Sequence, residues 1–266
     1  MDYLRRHTAP LSDRVWKALD GAVVQAARHV LAARRIATFD GPRGWEHVAT
    51  RLGSMTPCRS AEGQATVCVP DVVLLPEIRV DFSLPWATVE NFERGAPVLD
   101  TATAETAARE LALAEDRVAF YGDPTGAGFL GSKESPRVTT GEWTRHGRVL
   151  ADLVKAVETL DAAGIPGPYE AVLAPARYYA YLQAVDDTGY PTARQLRDVL
   201  GAVHRSPVVR EAGAVFSTRG GDFVITVGGD LATGYRLHDR DAVHLFCVET
   251  LAPQTVTPEA VCVLEP

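Results

Sequence analysis

Apolar residues recur at helical spacing along residues 12–33. Val15, Trp16, Leu19, Val23, Ala26 and Val30 share one face, and Arg14, Lys17, Gln25 and Arg28 take the other. Ser12 with Asp13 is placed to cap this helix, and Gly41, Pro42 and Gly44 turn the chain after it. Residues 51–76 break the pattern. Gly53, Pro57, Gly63, Pro70 and Pro76 punctuate short β-like pieces such as 65–69, and no strong apolar face runs through them. This stretch reads as a long hairpin arm that needs a partner surface. Exposed strand edges are a liability on a lone chain, but in an assembly they can pair with a neighbour.

Along 101–121 the stripe of Ala104, Ala107, Ala108, Leu111, Ala114, Val118 and Tyr121 is uninterrupted by glycine or proline. It predicts a helix of roughly 30 Å, and its alanines let another element approach closely. A third helix is predicted over about 147–163, with Leu150, Leu153, Val154, Val157 and Leu160 in register and Gly164 and Pro166 as its stop. Beyond it the signals mix. Residues 171–174 are strand-like, while 176–185 and 192–203 look helical. Residues 214–218 and 223–227 read as strands joined by the Gly220-Gly221 turn, and 242–263 is β-rich. With no internal repeat and no regular β-α alternation, the order fits an α+β fold with interleaved domains better than a doubly wound sheet.

Composition narrows the function classes. The 266 residues are 46% hydrophobic and 23% charged, which suits one large core or two smaller ones. Net charge is −7 with no basic stripe, so nucleic acid is not an expected partner. No run approaches the ~18 apolar residues of a membrane span. Met1-Asp2-Tyr3-Leu4-Arg5-Arg6 is no signal peptide, so a cytoplasmic location is expected. Cys58, Cys68, Cys247 and Cys262 are too few and too scattered for a disulfide scaffold and read as free thiols. The alternative, an inter-subunit disulfide, would use Cys58 or Cys68.

Candidate chemistry is sparse. Residues 126–131 match G-x-G-x-x-G, but they follow a helix and open into Lys133-Glu134-Ser135-Pro136. A dinucleotide site needs strand, turn and helix in that order, so a flexible turn between domains is the better reading. His238, Asp239, Asp241 and His244 could supply metal ligands. Their pattern is rather that of a charged turn followed by a strand histidine, and no metal is expected. His29 has no obvious nucleophile partner, and no nucleophile elbow, HExxH helix, Walker loop or paired CxxC is present. Nothing here argues for an enzyme.

A set of short peptides runs along the chain in a fixed order. They are Ala9-Pro10-Leu11 with Trp16, Gly41-Pro42 with Gly44-Trp45, Glu93-Arg94-Gly95, Gly167-Pro168-Tyr169, Gly189-Tyr190-Pro191, Arg219-Gly220-Gly221-Asp222-Phe223, Glu249-Thr250 and Pro258-Glu259-Ala260. Together, from Met1 to nearly Pro266, they resemble the encapsulins, the nanocompartment shell proteins once described as linocin-type bacteriocins. The resemblance implies the capsid fold of tailed phages of the Hong Kong type. It assigns 1–50 to the N-terminal helix and the start of a peripheral domain, and 51–75 to an extended arm. It assigns 76–130 to the peripheral domain with its spine helix, 131–222 to an axial domain, and 223–266 to strands returning to the peripheral domain.

The function so implied is structural. Sixty chains or a multiple would close as an icosahedron around a cargo enzyme, a peroxidase or a ferritin-like iron protein, carrying a C-terminal targeting peptide. Iron storage or oxidative-stress defence is the implied setting. The matching cargo-docking residues are Leu31, Arg34, Arg35 and Ile36, with Thr38 where relatives commonly have aspartate. The matching pore loop is Asp186, Asp187, Thr188, Gly189 and Tyr190, whose carboxylates, repeated around an axis, would attract cations. Some members hold a flavin through an Arg and a Trp. Arg79 and Trp86 lie near that place, but the tryptophan is displaced by one position, with Ala87 beside it, so a packing role is preferred and no cofactor is expected. The competing readings are a prophage capsid protein packaging DNA and a soluble protease or bacteriocin.

Overall fold

The computed structural model describes residues 2–60, 66–124 and 126–266; the side chains of 57–60 and 66–67 lie outside the description. Helix α1 (Asp13–Arg28) starts where the sequence places it, with Ser12 Oγ accepting the Val15 N–H at 3.3 Å. It ends earlier than 33. The chain turns at His29–Val30 and a separate short helix α2 (Ala33–Ile36) follows.

After the short strand β1 (Thr38–Asp40), β2 (Ala49–Ser60) and β3 (Thr66–Leu74) pair antiparallel as a two-stranded sheet of their own. This is the predicted arm. Its side chains leave apolar surface uncovered: Leu52, Met55, Val69, Val72 and Leu74 are all exposed.

Strand β4 (Glu77–Pro85) leads into α3 (Trp86–Glu93) and α4 (Ala102–Tyr121), the long helix expected over 101–121. Its stripe packs against α1 and β4 around Val15, Leu19, Leu84, Ala104, Ala108, Leu111 and Leu245. The two-residue strands β5 (Gly122–Asp123) and β6 (Gly126–Ala127) form a tight hairpin after α4. The glycine-rich run is therefore no loose interdomain turn. Phe129 and Leu130 donate backbone N–H groups to Ala119 and Phe120 carbonyls, and the Phe129 ring is fully buried against Phe120 and Phe223.

Strand β7 (Arg137–Thr139) precedes α5 (Arg148–Ala162), whose Leu153, Val157 and Leu160 enter the larger core. Next come β8 (Tyr169–Leu173), α6 (Pro175–Gln183) and α7 (Thr192–Gln195). The helix expected over 192–203 is only this turn and a 3-10 turn at Leu196–Asp198, and the chain is extended again in β9 (Val203–Arg205). Strands β10 (Gly213–Ser217) and β11 (Phe223–Val227) flank Gly220-Gly221 as predicted, but they do not pair. The turn carries the chain from one sheet to the other.

The remaining strands are β12 (Ala232–His238), absent from the sequence expectation, β13 (Ala242–Thr255) and β14 (Val261–Glu265). One five-stranded sheet runs β1-β11-β13-β12, with β4 also pairing β13. The second runs β7-β14-β10-β8-β9. The last strand thus leaves the expected grouping of 223–266 and sits inside the second sheet, between β7 and β10. The larger core spans both sheets, with Phe216 and Phe223 ring centroids 5.2 Å apart across the Gly220-Gly221 crossing.

Candidate functional site

The four residues Leu31, Arg34, Arg35 and Ile36 fall on the junction between α1 and α2, and the structure separates their roles. A helix start leaves backbone N–H groups without intrahelical partners. Residue Ala32, at the start of α2, offers no capping side chain. The cap comes from α4 instead. The Asp116 carboxylate accepts the Ala32 N–H at 3.1 Å, the Ala33 N–H at 3.0 Å and the Ser206 hydroxyl at 3.1 Å. Asp116 is fully buried, and burial pushes it up to about 6 even though these donors pull it down.

Arg34 projects from α2 into a cluster of three carboxyls brought from three other places in the chain. Its Nε donates to Glu115 at 2.6 Å, Nη1 to Asp230 at 2.8 Å and Nη2 to Glu249 at 3.0 Å. Glu115 and Glu249 are completely buried, whereas Asp230 is partly open to solvent. Neither Glu115 Oε2 nor Glu249 Oε1 receives a donor from the described protein groups. One guanidinium cannot neutralise this set. Burial, and then the charge of Glu115, hold Glu249 well above the ordinary carboxylate range.

Above this cluster lies an open cleft of about 360 Å³ between α1, α2 and the Asp230-Leu231 turn. Ala27 and Leu31 form its buried floor, Val24 and Leu231 its apolar walls, and Arg28 and Arg35 its exposed rim. Arg35 donates to the carbonyls of Leu31 at 3.1 Å and Arg28 at 3.0 Å, which closes the last turn of α1. Ile36 does not reach the cleft; it is buried in the large core with Ala32 and Ala33. Of the four predicted residues, Leu31 and Arg35 shape the cleft and Arg34 braces it from below. Val24, Arg28, Asp230 and Leu231 were not anticipated. The first two lie on the polar and flanking faces of a recognisable helix, whereas nothing local marks Asp230 or Leu231.

The loop 186–190 joins α6 to α7 across a Val185–Pro191 bridge. Its two aspartates differ. Asp186 accepts the Thr188 hydroxyl at 2.6 Å, the Thr188 N–H at 2.8 Å, the Tyr190 N–H at 3.0 Å and the Gln195 amide at 2.6 Å. These bonds, Thr188 foremost, hold its carboxyl below the usual range and fold the loop. Gly189 takes a φ of 82°, which a side chain would strain. Asp187 is 95% exposed and meets His146 Nδ1 at 3.3 Å. Tyr190 is half exposed.

The other candidates are occupied by packing. Asp239 accepts the backbone N–H groups of Asp241 and Ala242 and bonds His244, while His238 bonds the Tyr235 hydroxyl, so these side chains do not converge on one point. Trp86 stacks edge-on against His238 and donates its indole N–H to the Asp239 carbonyl at 2.9 Å. Arg79 lies 3.8 Å over the Phe246 ring and pairs with Asp81. Cys68 is an exposed free thiol, Cys247 and Cys262 are buried with their thiols pushed up to about 12, and the side chain of Cys58 lies outside the described residues. Among the described residues no helix is long and apolar enough to cross a membrane.

The Asp116 cap gives a testable pH dependence. Its folded-state pKa, about 6, lies above the ordinary 3.8. The stability it contributes is therefore present below 3.8 and is lost as pH rises through 6. In thermal melts at a series of pH values, the margin of wild type over Asp116→Asn is expected to shrink across that window and stay flat above it. Parallel curves for the two proteins would rule the assignment out.

Residues 1–252 match the family model Linocin_M18, described as encapsulating protein for peroxidase. The type 1 encapsulin shell protein of Rhodospirillum rubrum is 33% identical over 98% of this chain and 95% of its own length. That of Mycobacterium tuberculosis is 30% identical over 98% of each. Among solved structures, the virus-like particle from Pyrococcus furiosus superposes with a TM-score of 0.73 at 17% identity, covering 94% of this chain and 99% of that one. The capsid of Myoviridae Phage XM1 superposes with a TM-score of 0.59 at 10% identity, covering 91% and 90%. The fold is the phage-capsid type that the sequence resemblance implied, and with matches of this extent the chain belongs to the encapsulin family of shell proteins.

Proposed function

We propose that this chain is a protomer of a closed cytoplasmic shell of sixty copies or a multiple, and that the shell holds a cargo enzyme docked by a short C-terminal targeting peptide. The observation that carries this reading is the β2–β3 hairpin. Met55, Val69, Val72 and Leu74 stay exposed on a two-stranded sheet, and such a ribbon is marginal in water without a surface to cover it. A neighbouring protomer is the natural cover, and closed symmetry hides every arm at once. The cleft at Leu31 and Arg35 supplies a small apolar seat for the peptide, and many weak seats facing one multimeric cargo give avidity. The family description favours a peroxidase as cargo, with a ferritin-like iron protein as the second choice. In the assembled shell Asp187 would line the pore, with Asp186 holding the loop in shape.

Negative-stain electron microscopy of the purified protein, with mass spectrometry of whatever copurifies, tests this reading. Uniform hollow spheres around one protein are expected. Particles filled with nucleic acid would instead mark a DNA-packaging capsid, and a small monomer or dimer would overturn the shell.

A further inference from the structure

The charges on the rim of the α1–α2 cleft are unbalanced. Arg34 is fully engaged by Glu115, Glu249 and Asp230, the last being the acidic residue in the cleft lining. Arg28 is exposed and has no ion-pair partner among the described residues. Arg35 is exposed too, and it bonds carbonyls rather than a carboxylate. Two cationic side chains therefore flank the apolar floor of Ala27 and Leu31 with no counter-charge of their own. The carbonyls at the end of α1 would attract cations, but the Arg35 guanidinium already occupies them. The site lies on a chain of net charge −7, so two exposed arginines without carboxylate partners on one rim are not a general surface property.

From this arrangement we infer that the cleft selects an extended peptide whose apolar anchors are flanked by aspartate or glutamate, and discriminates against one flanked by lysine or arginine. The inference rests on the proposed docking role of the cleft and adds the chemistry of the partner. The apolar floor provides affinity through buried area. Arg28 and Arg35 provide sign selection, because a like charge brought against them is repelled.

The test uses fluorescein-labelled synthetic peptides on the assembled full-length protein, read by anisotropy. One carries paired leucines between aspartates; its counterparts carry lysines or asparagines in place of the aspartates. The aspartate peptide is expected to bind roughly five- to tenfold more tightly than the lysine peptide at low salt, and the gap should close near ~1 M salt. Arg28→Gln should reduce the gap and Arg28→Glu reverse it. Both replace an exposed side chain, so unchanged melting curves show that the fold is intact. Val24→Asp at the wall should weaken all three peptides.

Equal binding of the aspartate and lysine peptides overturns the inference, as does preference for lysine or binding of none of them to intact shells. Competition by added unlabelled protein in place of peptide would make a second copy the occupant and also overturn it. Acid-selective binding by a chain that forms no shells would leave the cleft assignment standing and remove the shell reading instead.

Discussion

Replacing Arg34 with alanine is expected to destabilise the protein by about 3–5 kcal/mol, the range for removing one partner of a buried ion pair. The reason is what remains behind. Glu115 and Glu249 are both sealed from solvent, and among the described residues Arg34 is the cation that pairs with each of them. Both would have to be protonated in the folded state, which costs more as the pH rises. The loss should therefore be smaller near pH 5 than near pH 8, in denaturant titrations at both values. Arg34→Lys is expected to fail almost as badly. Three acceptors at 2.6, 2.8 and 3.0 Å surround three different nitrogens of one planar fork, and a single ammonium cannot meet that geometry. Adding Glu249→Gln to Arg34→Ala should recover part of the loss, since it removes one of the two buried carboxyls that must otherwise take up a proton. A loss below about 1 kcal/mol for Arg34→Ala, the scale of an exposed pair, would show that the cluster is not a buried ion network.

Excising the arm should have the largest effect on assembly. Ala49 and Leu74 are Cα partners at the base of the hairpin, so a two-residue Asn-Gly turn can replace 50–73 without pulling the strands apart. The excised stretch carries Leu52, Met55, Val69 and Val72, whose exposure points to a cover from outside the chain. The two cores are built from other elements. The shortened chain should keep its helical circular dichroism and a cooperative melt, yet elute as a small species and show no particles under the electron microscope. Particles of normal size would refute the arm's role in joining protomers.

The parts of this fold visible in the sequence are those whose signals are local. The long helix was expected over 101–121 and is Ala102–Tyr121; the next was expected over 147–163 and is Arg148–Ala162. Both carry an unbroken apolar stripe between clear stops. The first helix was drawn too long because its break depends on Asp116, which caps α2 from 84 residues away. Strand β12 was missed partly because of Gly234, a poor strand former. There a Cβ would lie 2.2 Å from the Phe246 ring, so the glycine is required by a cross-strand neighbour and says nothing locally. The Gly220-Gly221 turn was recognised as a turn, but which sheets its strands would join is decided by β13 and β14, which follow later in the chain.

The candidate site divides in the same way. Leu31, Arg34 and Arg35 could be picked out because they sit in one short stretch that resembles a known family. Their partners Glu115, Asp230 and Glu249 come from separate elements, and the signal was only the Glu249-Thr250 pair, which carried no role by itself. Ile36 belongs to the same resembling stretch, but on a short helix adjacent residues face different ways, and the core takes its side chain.

The position of β14 bears on how the molecule is made. This strand is inserted between β7 and β10, yet it is formed by residues 261–265. During synthesis, the edge of β10 must wait unpaired until those residues have left the ribosome. The second sheet then closes from the inside, around its last-made strand. A nascent chain is thereby kept from completing its second sheet before residues 261–265 have emerged.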